Sequence, residues 1–114
     1  MSTTRESEIG LLPRDLALQS LRPAEIVLSY DAAISAVHHL HDSGVHILGW
    51  EGWLRHPDGR LGHSALHQGT TSLGDVPPAD AAAICIRTIR DAHSESIGAP
   101  ERGELYFCIF TNAA

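Results

Sequence analysis

The stretch YDAAISAVHHLHDSGVHILGWEGWLRHPDGRLGH, residues 30–63, decides the fold. Its first half carries Ala33, Ile34, Val37 and Leu40 at helical spacing, with His41 near the same face. Ser29 precedes it as the expected N-cap, and Asp31 suits the positive end of a helix. Gly44 supplies a left-handed stop. Val45, Ile47 and Leu48 then open a strand. Pro57-Asp58-Gly59-Arg60 is a turn with a mechanism: proline presets φ, and glycine accepts φ > 0. The reading is a helix followed by a β-hairpin, roughly 45–55 and 60–67.

Outward from there the pattern extends in both directions. EIVLS, ending at Ser29, is a short β-branched run that reads as a strand. Residues 9–24 are broken by Pro13 and Pro23, with Leu12, Leu16 and Leu21 available to cover a sheet edge or a core face, and their state is left open. Downstream, QGTTSLGDVPP reads as a loop. Asp75 with Pro77 and Pro78 opens a second helix over about 78–96. Ala81, Ile84, Cys85, Thr88, Ile89 and Ala92 form its apolar stripe. ELYFCIFTNA is a terminal strand with Leu105, Phe107 and Ile109 on one face and Tyr106, Cys108 and Phe110 on the other. Apolar side chains on both faces mark a central strand. The expected fold is α+β: two helices packed on a mostly antiparallel three- to four-stranded sheet, in the order (β)αββαβ. Residues 1–8 are expected to be a flexible tail and 9–114 a single domain.

Composition bounds the function. The chain has 114 residues, and 14 acidic against 8 basic side chains give a formal charge of −6. All eight basic residues are arginine and they are scattered, which argues against a phosphate-binding stripe and so against nucleic acid. Hydrophobic residues make up 43%, enough for a globular core. No apolar run reaches membrane-span length, and MSTTRESEIG has no signal-peptide core. The expectation is a soluble, cytoplasmic protein with no membrane association. Cys85 and Cys108 lie in apolar runs and read as reduced core residues.

Eight histidines are unusual for this length. His38 and His41 are one helical turn apart, but a metal site wants further ligands. His63 and His67, if both in one strand, would stand about 13 Å apart along it. No HExxH, CxxC, GxSxG or phosphate-binding glycine loop occurs. No metal and no cofactor is expected.

GWEGW, residues 49–53, is the densest feature. On an extended segment Glu51 and Trp53 share a face with Ile47 and Gly49, while Trp50 joins Leu48 and Leu54. Glycines at 49 and 52 allow a bulge or a close backbone approach. Two readings stand: one tryptophan fills the core and the other covers an edge, or Glu51 and Trp53 are displayed for a partner.

The LSY entry at Leu28–Tyr30, the alanine-bearing helix, the ILG strand at Ile47–Gly49, the DG turn and the aromatic final strand resemble the small immunity proteins of bacterial polymorphic-toxin systems, most nearly the family numbered forty. The resemblance spans Leu28 to Phe110. It implies an intracellular α+β protein, not an enzyme, that binds a cognate toxin domain and blocks it, a nuclease being one candidate. The expected partner-binding patch is Trp50, Glu51, Trp53, Asp58 and His63. The alternatives are a ligand-binding or dimerising regulatory domain, with self-association through the terminal strand or an open sheet edge, and a metalloprotein or small enzyme using His38, His41 and Glu51.

Overall fold

The computed structural model describes residues 8–98 and 103–112. Four strands, β1 (Ile26–Leu28), β2 (Ile47–Arg55), β3 (Leu61–His63) and β4 (Glu104–Thr111), form one antiparallel sheet in the order β1-β4-β2-β3. Three helices accompany it: α1 (Arg14–Ala17), α2 (Tyr30–Asp42) and α3 (Pro78–Ser96), with a 3-10 turn at Glu8–Leu11. The protein is α+β, as its sequence indicates. Residues 9–24, undecided from the pattern, hold that turn and the single turn of α1. Residues 99–102 of the expected connection lie outside the described residues, as do residues 1–7 of the expected tail. Glu8 is no part of a loose tail: its carboxylate accepts the Thr111 backbone N–H at 2.6 Å and the Thr111 hydroxyl at 2.9 Å.

α2 ends as Gly44 demands. Gly44, at φ 81°, donates to the His41 carbonyl, and Val45 donates to that of Leu40. This is the paired closure that satisfies the last carbonyls of a helix. Ser29 occupies the N-cap position and its carbonyl accepts the Ala33 N–H at 2.8 Å, but its hydroxyl caps nothing. Asp75 is not the cap of α3, contrary to expectation. The N-cap is Pro77, with Pro78 at the first helical position, where no amide N–H is needed.

The main core lies between the helices and one face of the sheet. Ala33, Ala36, Val37 and Leu40 of α2 and Ala81, Cys85 and Ile89 of α3 bury against Leu28, Ile47, Trp50, Phe107 and Ile109. The Trp50 ring meets Phe107 edge-on, with centroids 5.3 Å apart. Leu12 and Leu16 close this core from the N-terminal side. At one end, the rings of Tyr30 (start of α2) and His93 (end of α3) stack at 3.9 Å, tying the two helices together.

Two details of the hairpin differ from the sequence reading. Ile47 pairs with Thr111 and Gly49 with Phe110, so β2 holds one residue more than β4 in that interval. This β-bulge turns Ile47 onto the helix-facing side and into the main core, away from Glu51 and Trp53. The second hairpin strand is also shorter than 60–67, since regular pairing stops at His63. From Ser64 the chain follows the free edge of β2 in irregular steps. Ser64 donates to the Gly52 carbonyl, Gly52 to that of His67, Trp50 and Thr70 exchange both bonds, and Leu73 donates to Leu48. The edge of β2 is satisfied without a regular strand.

Glycine makes that approach possible. A Cβ on Gly52 would run into the His67 carbonyl oxygen, and one on Gly49 (φ 150°) into that of Thr70. The spacing of glycines in GWEGW is thus a backbone requirement of the neighbouring segment.

Candidate functional site

The register fixes which residues share the outer, helix-free face of the sheet. Directly opposed residues point the same way. Glu51 faces Cys108, Trp53 faces Tyr106 and His63, and Val27 faces Cys108 from the other side. Val27, Tyr106 and Cys108 are buried there, with Leu21, Trp53 and Phe110 packed around them. Neither α2 nor α3 contributes to this cluster. It is a second, small apolar layer covered in part by the chain before β1.

Three of the five expected patch residues meet on this face. The Trp53 and His63 ring centroids are 5.0 Å apart. His63 Nδ1 lies 3.6 Å from Glu51 Oε1, with the Glu51 side chain one-third exposed. Arg22 places its guanidinium 5.6 Å from the centre of the Trp53 ring, and the buried Trp53 indole N–H has no hydrogen-bond partner among the described residues.

Trp50 and Asp58 stand elsewhere. Trp50 is 3% exposed, on the helix-facing side, with its indole N–H donating to Thr88 Oγ1 at 2.8 Å. It is the strand neighbour of Glu51, and the pleat puts the two on opposite faces. Asp58 is at the hairpin tip, beyond Arg55, which is itself about 13 Å along the strand from Glu51. Its carboxylate accepts the Arg60 backbone N–H at 3.1 Å and Arg60 Nε at 2.7 Å. The Arg60 backbone N–H in particular holds the Asp58 carboxyl below its usual range. The turn uses Asp58 itself.

Residues outside the expected patch complete the face. Tyr106 and Phe110 adjoin Trp53 and Gly49 across the strand pair. The Cys108 thiol beneath them is pushed up to about 12, by burial first and then by the carboxylates of Glu25, Glu51 and Glu8, with Arg22 opposing. Arg22 is engaged by Glu25 at 3.4 Å. Alternation in LYFCIF already set Tyr106 and Phe110 apart from the core face, but only the strand register brings them beside Trp53.

The alternatives fare differently. His38 and His41 lie on α2, on the opposite side of the sheet from Glu51, so these three cannot converge. Among the described residues no three His, Cys, Asp or Glu side chains are placed to hold a metal ion. The histidines are dispersed: His46 Nε2 bonds the Leu73 carbonyl, His93 stacks on Tyr30, and His67 Nδ1 lies 3.9 Å from Glu95. Cys85 and Cys108 are buried, and burial pushes their thiols up to about 11 and about 12. Self-association through the terminal strand is closed, because β4 is flanked on both sides. The β1 edge is also taken: Ser20 Oγ accepts the Val27 N–H, and Leu21 donates to the Val27 carbonyl. Among the described residues no helix is long and apolar enough to cross a membrane.

Comparison of the chain with protein-family models, with curated proteins and with solved structures finds no match.

Proposed function

We propose that this protein is a non-catalytic binding protein that docks a partner protein on the outer face of its sheet, and that the partner is a toxin domain which it inhibits, in the manner of the immunity proteins its sequence resembles. One observation carries the reading. A sheet face to which no helix contributes among the described residues presents Trp53 between Tyr106 and His63, with the Glu51 carboxylate beside them. A half-buried tryptophan beside aromatic neighbours is the kind of group that dominates binding energy at interfaces. The Glu51 carboxylate and the net charge of −6 favour a basic partner and speed its encounter.

The test begins with the protein as bait in its source cells, followed by purification of any stoichiometric partner. A toxic partner that forms a one-to-one complex and loses its activity in that complex supports the reading. Trp53→Ala is then expected to weaken the complex by at least about tenfold, in a free protein that still unfolds cooperatively but at a lower melting temperature, because the ring also packs on Tyr106 and Cys108. A partner whose activity is unchanged when bound overturns the inhibitor reading. Affinity unchanged in both Trp53→Ala and Glu51→Ala overturns the assignment of the face.

A further inference from the structure

We infer that the notch beside Glu51 is a pocket for one cationic side chain, an arginine or lysine presented by the partner; this rests on the docking face proposed above and specifies its chemistry. The notch has a volume of about 390 Å³ and is lined by Glu51, Gly52, His63, Ser64, Ala65 and Gln68.

Its walls are set in advance. Ser64 donates to the Gly52 carbonyl at 2.9 Å, and Gly52 donates to the His67 carbonyl at 3.0 Å. The His67 N–H donates to Ser64 Oγ at 3.0 Å, and Gln68 Nε2 to the Ala65 carbonyl at 3.3 Å. These bonds hold the 64–68 segment against β2 on the open side of Glu51. A pre-formed recess needs little ordering when it is filled.

The charge in the notch is one-sided. Among the described residues, Glu51 supplies the only carboxylate lining the recess, and no arginine lines it. Among the described residues, the one ion-pair contact of Glu51 is with an imidazole, His63, at 3.6 Å. Glu51 and Trp53 sit two residues apart on one strand face, so a partner that covers Trp53 also takes water from Glu51. An unpaired carboxylate removed from water is strongly destabilising. A partner that seats on Trp53 must therefore bring a cation to Glu51. A guanidinium matches a carboxylate through two parallel hydrogen bonds, so arginine fits better than lysine. A lone carboxylate with an imidazole is too small a donor set for a metal ion.

The test uses the intact, isotopically labelled protein and three capped tripeptides, Gly-Xaa-Gly, with arginine, lysine or citrulline at the centre. Amide resonances of Gly52, His63, Ser64 and Ala65 are expected to shift with the arginine peptide in the millimolar range. The lysine peptide should bind more weakly, citrulline should give no shift, and Glu51→Gln should abolish the response. Equal shifts with citrulline, shifts that survive Glu51→Gln, or none at tens of millimolar peptide overturn the pocket. Agmatine binding far more tightly than the arginine peptide reassigns the notch to a free small cation and overturns the partner assignment. In the complex, Glu51→Gln is expected to lose about tenfold in affinity. Loss with Trp53→Ala but not with Glu51→Gln keeps the docking face and removes the cation pocket. Loss with neither removes both.

Discussion

The indole N–H of Trp50 donates to Thr88 Oγ1 at 2.8 Å, and the Thr88 hydroxyl in turn donates to the Ile84 carbonyl at 2.7 Å. This relay joins the middle of β2 to the middle of α3 through otherwise apolar packing. It explains a threonine in the apolar stripe of the helix and consumes the polar end of the largest core side chain. Trp50 and Trp53 thus divide between them the two faces of one strand.

Thr88→Val keeps the shape of that side chain and removes both its acceptor and its donor. The Trp50 N–H is then left buried without a partner. A loss of about 1–3 kcal/mol in unfolding free energy is expected, with Thr88→Ser closer to the parent. Urea unfolding followed by tryptophan fluorescence measures both; a Thr88→Val variant as stable as the parent contradicts the relay.

Gly52→Ala should detach the 64–70 segment. The new methyl group would meet the His67 carbonyl oxygen, a backbone atom that moves only if the segment moves. The expected destabilisation is about 1–3 kcal/mol, with faster hydrogen exchange at Trp50, Ser64 and Thr70. Gly74→Ala is the control, since its methyl would make only an ordinary contact, 3.7 Å from Leu48 Cδ2. Equal exchange in the two variants would show that Gly52 is not a packing requirement.

Glu8→Ala removes the acceptor of two hydrogen bonds at the end of β4. Bonds to a charged acceptor contribute about 1.5–3 kcal/mol each in favourable settings. The expected result is a drop of that order in stability and selectively faster exchange of the Thr111 amide. Unchanged exchange at Thr111 would mean that the clasp does not persist in solution.

The two buried thiols predict a loss of stability in alkali. Both fold with their pKa raised, from an ordinary 9.0 to about 11 for Cys85 and about 12 for Cys108. Above pH 9 the unfolded chain releases protons that the folded chain retains, so unfolding is favoured as pH rises. Their contribution is complete below about pH 9 and is lost progressively up to about pH 11 to 12. Denaturant midpoints measured across that window should fall. Cys108→Ala should flatten the decline, and a parent-like slope in that variant would exclude this thiol as a source.

How much of this was legible beforehand differs by element. The α2 stripe, the Gly44 stop, the proline–glycine turn and the α3 stripe are local: their spacing and special residues act within a few positions, and the structure has them where the sequence puts them. The central place of β4 also followed from apolar residues on both of its faces. The failures concern contacts between distant segments. Simple alternation puts Ile47 on the face of Glu51, and the bulge set by pairing with β4 reverses it. His67 was placed in a strand, but the chain after Ser64 is shaped by close backbone approach to Gly52 and Gly49. Asp75 had the right chemistry for a cap and the wrong position, because two prolines start the helix on their own.

The candidate site divides in the same way. GWEGW by itself marks a crowded strand whose glycines serve a neighbouring backbone, and alternation alone separates Trp50 from Trp53. The sequence by itself therefore determined the class of fold, its local punctuation and the opposition of the two tryptophans. Tertiary structure alone decided that Thr88 receives Trp50, that Tyr106 and Phe110 adjoin the face of Trp53, and that Glu8 clasps Thr111. Spacing along a chain specifies which side chains share a face, whereas strand order and register specify which faces are joined, and those depend on the packing of the whole domain.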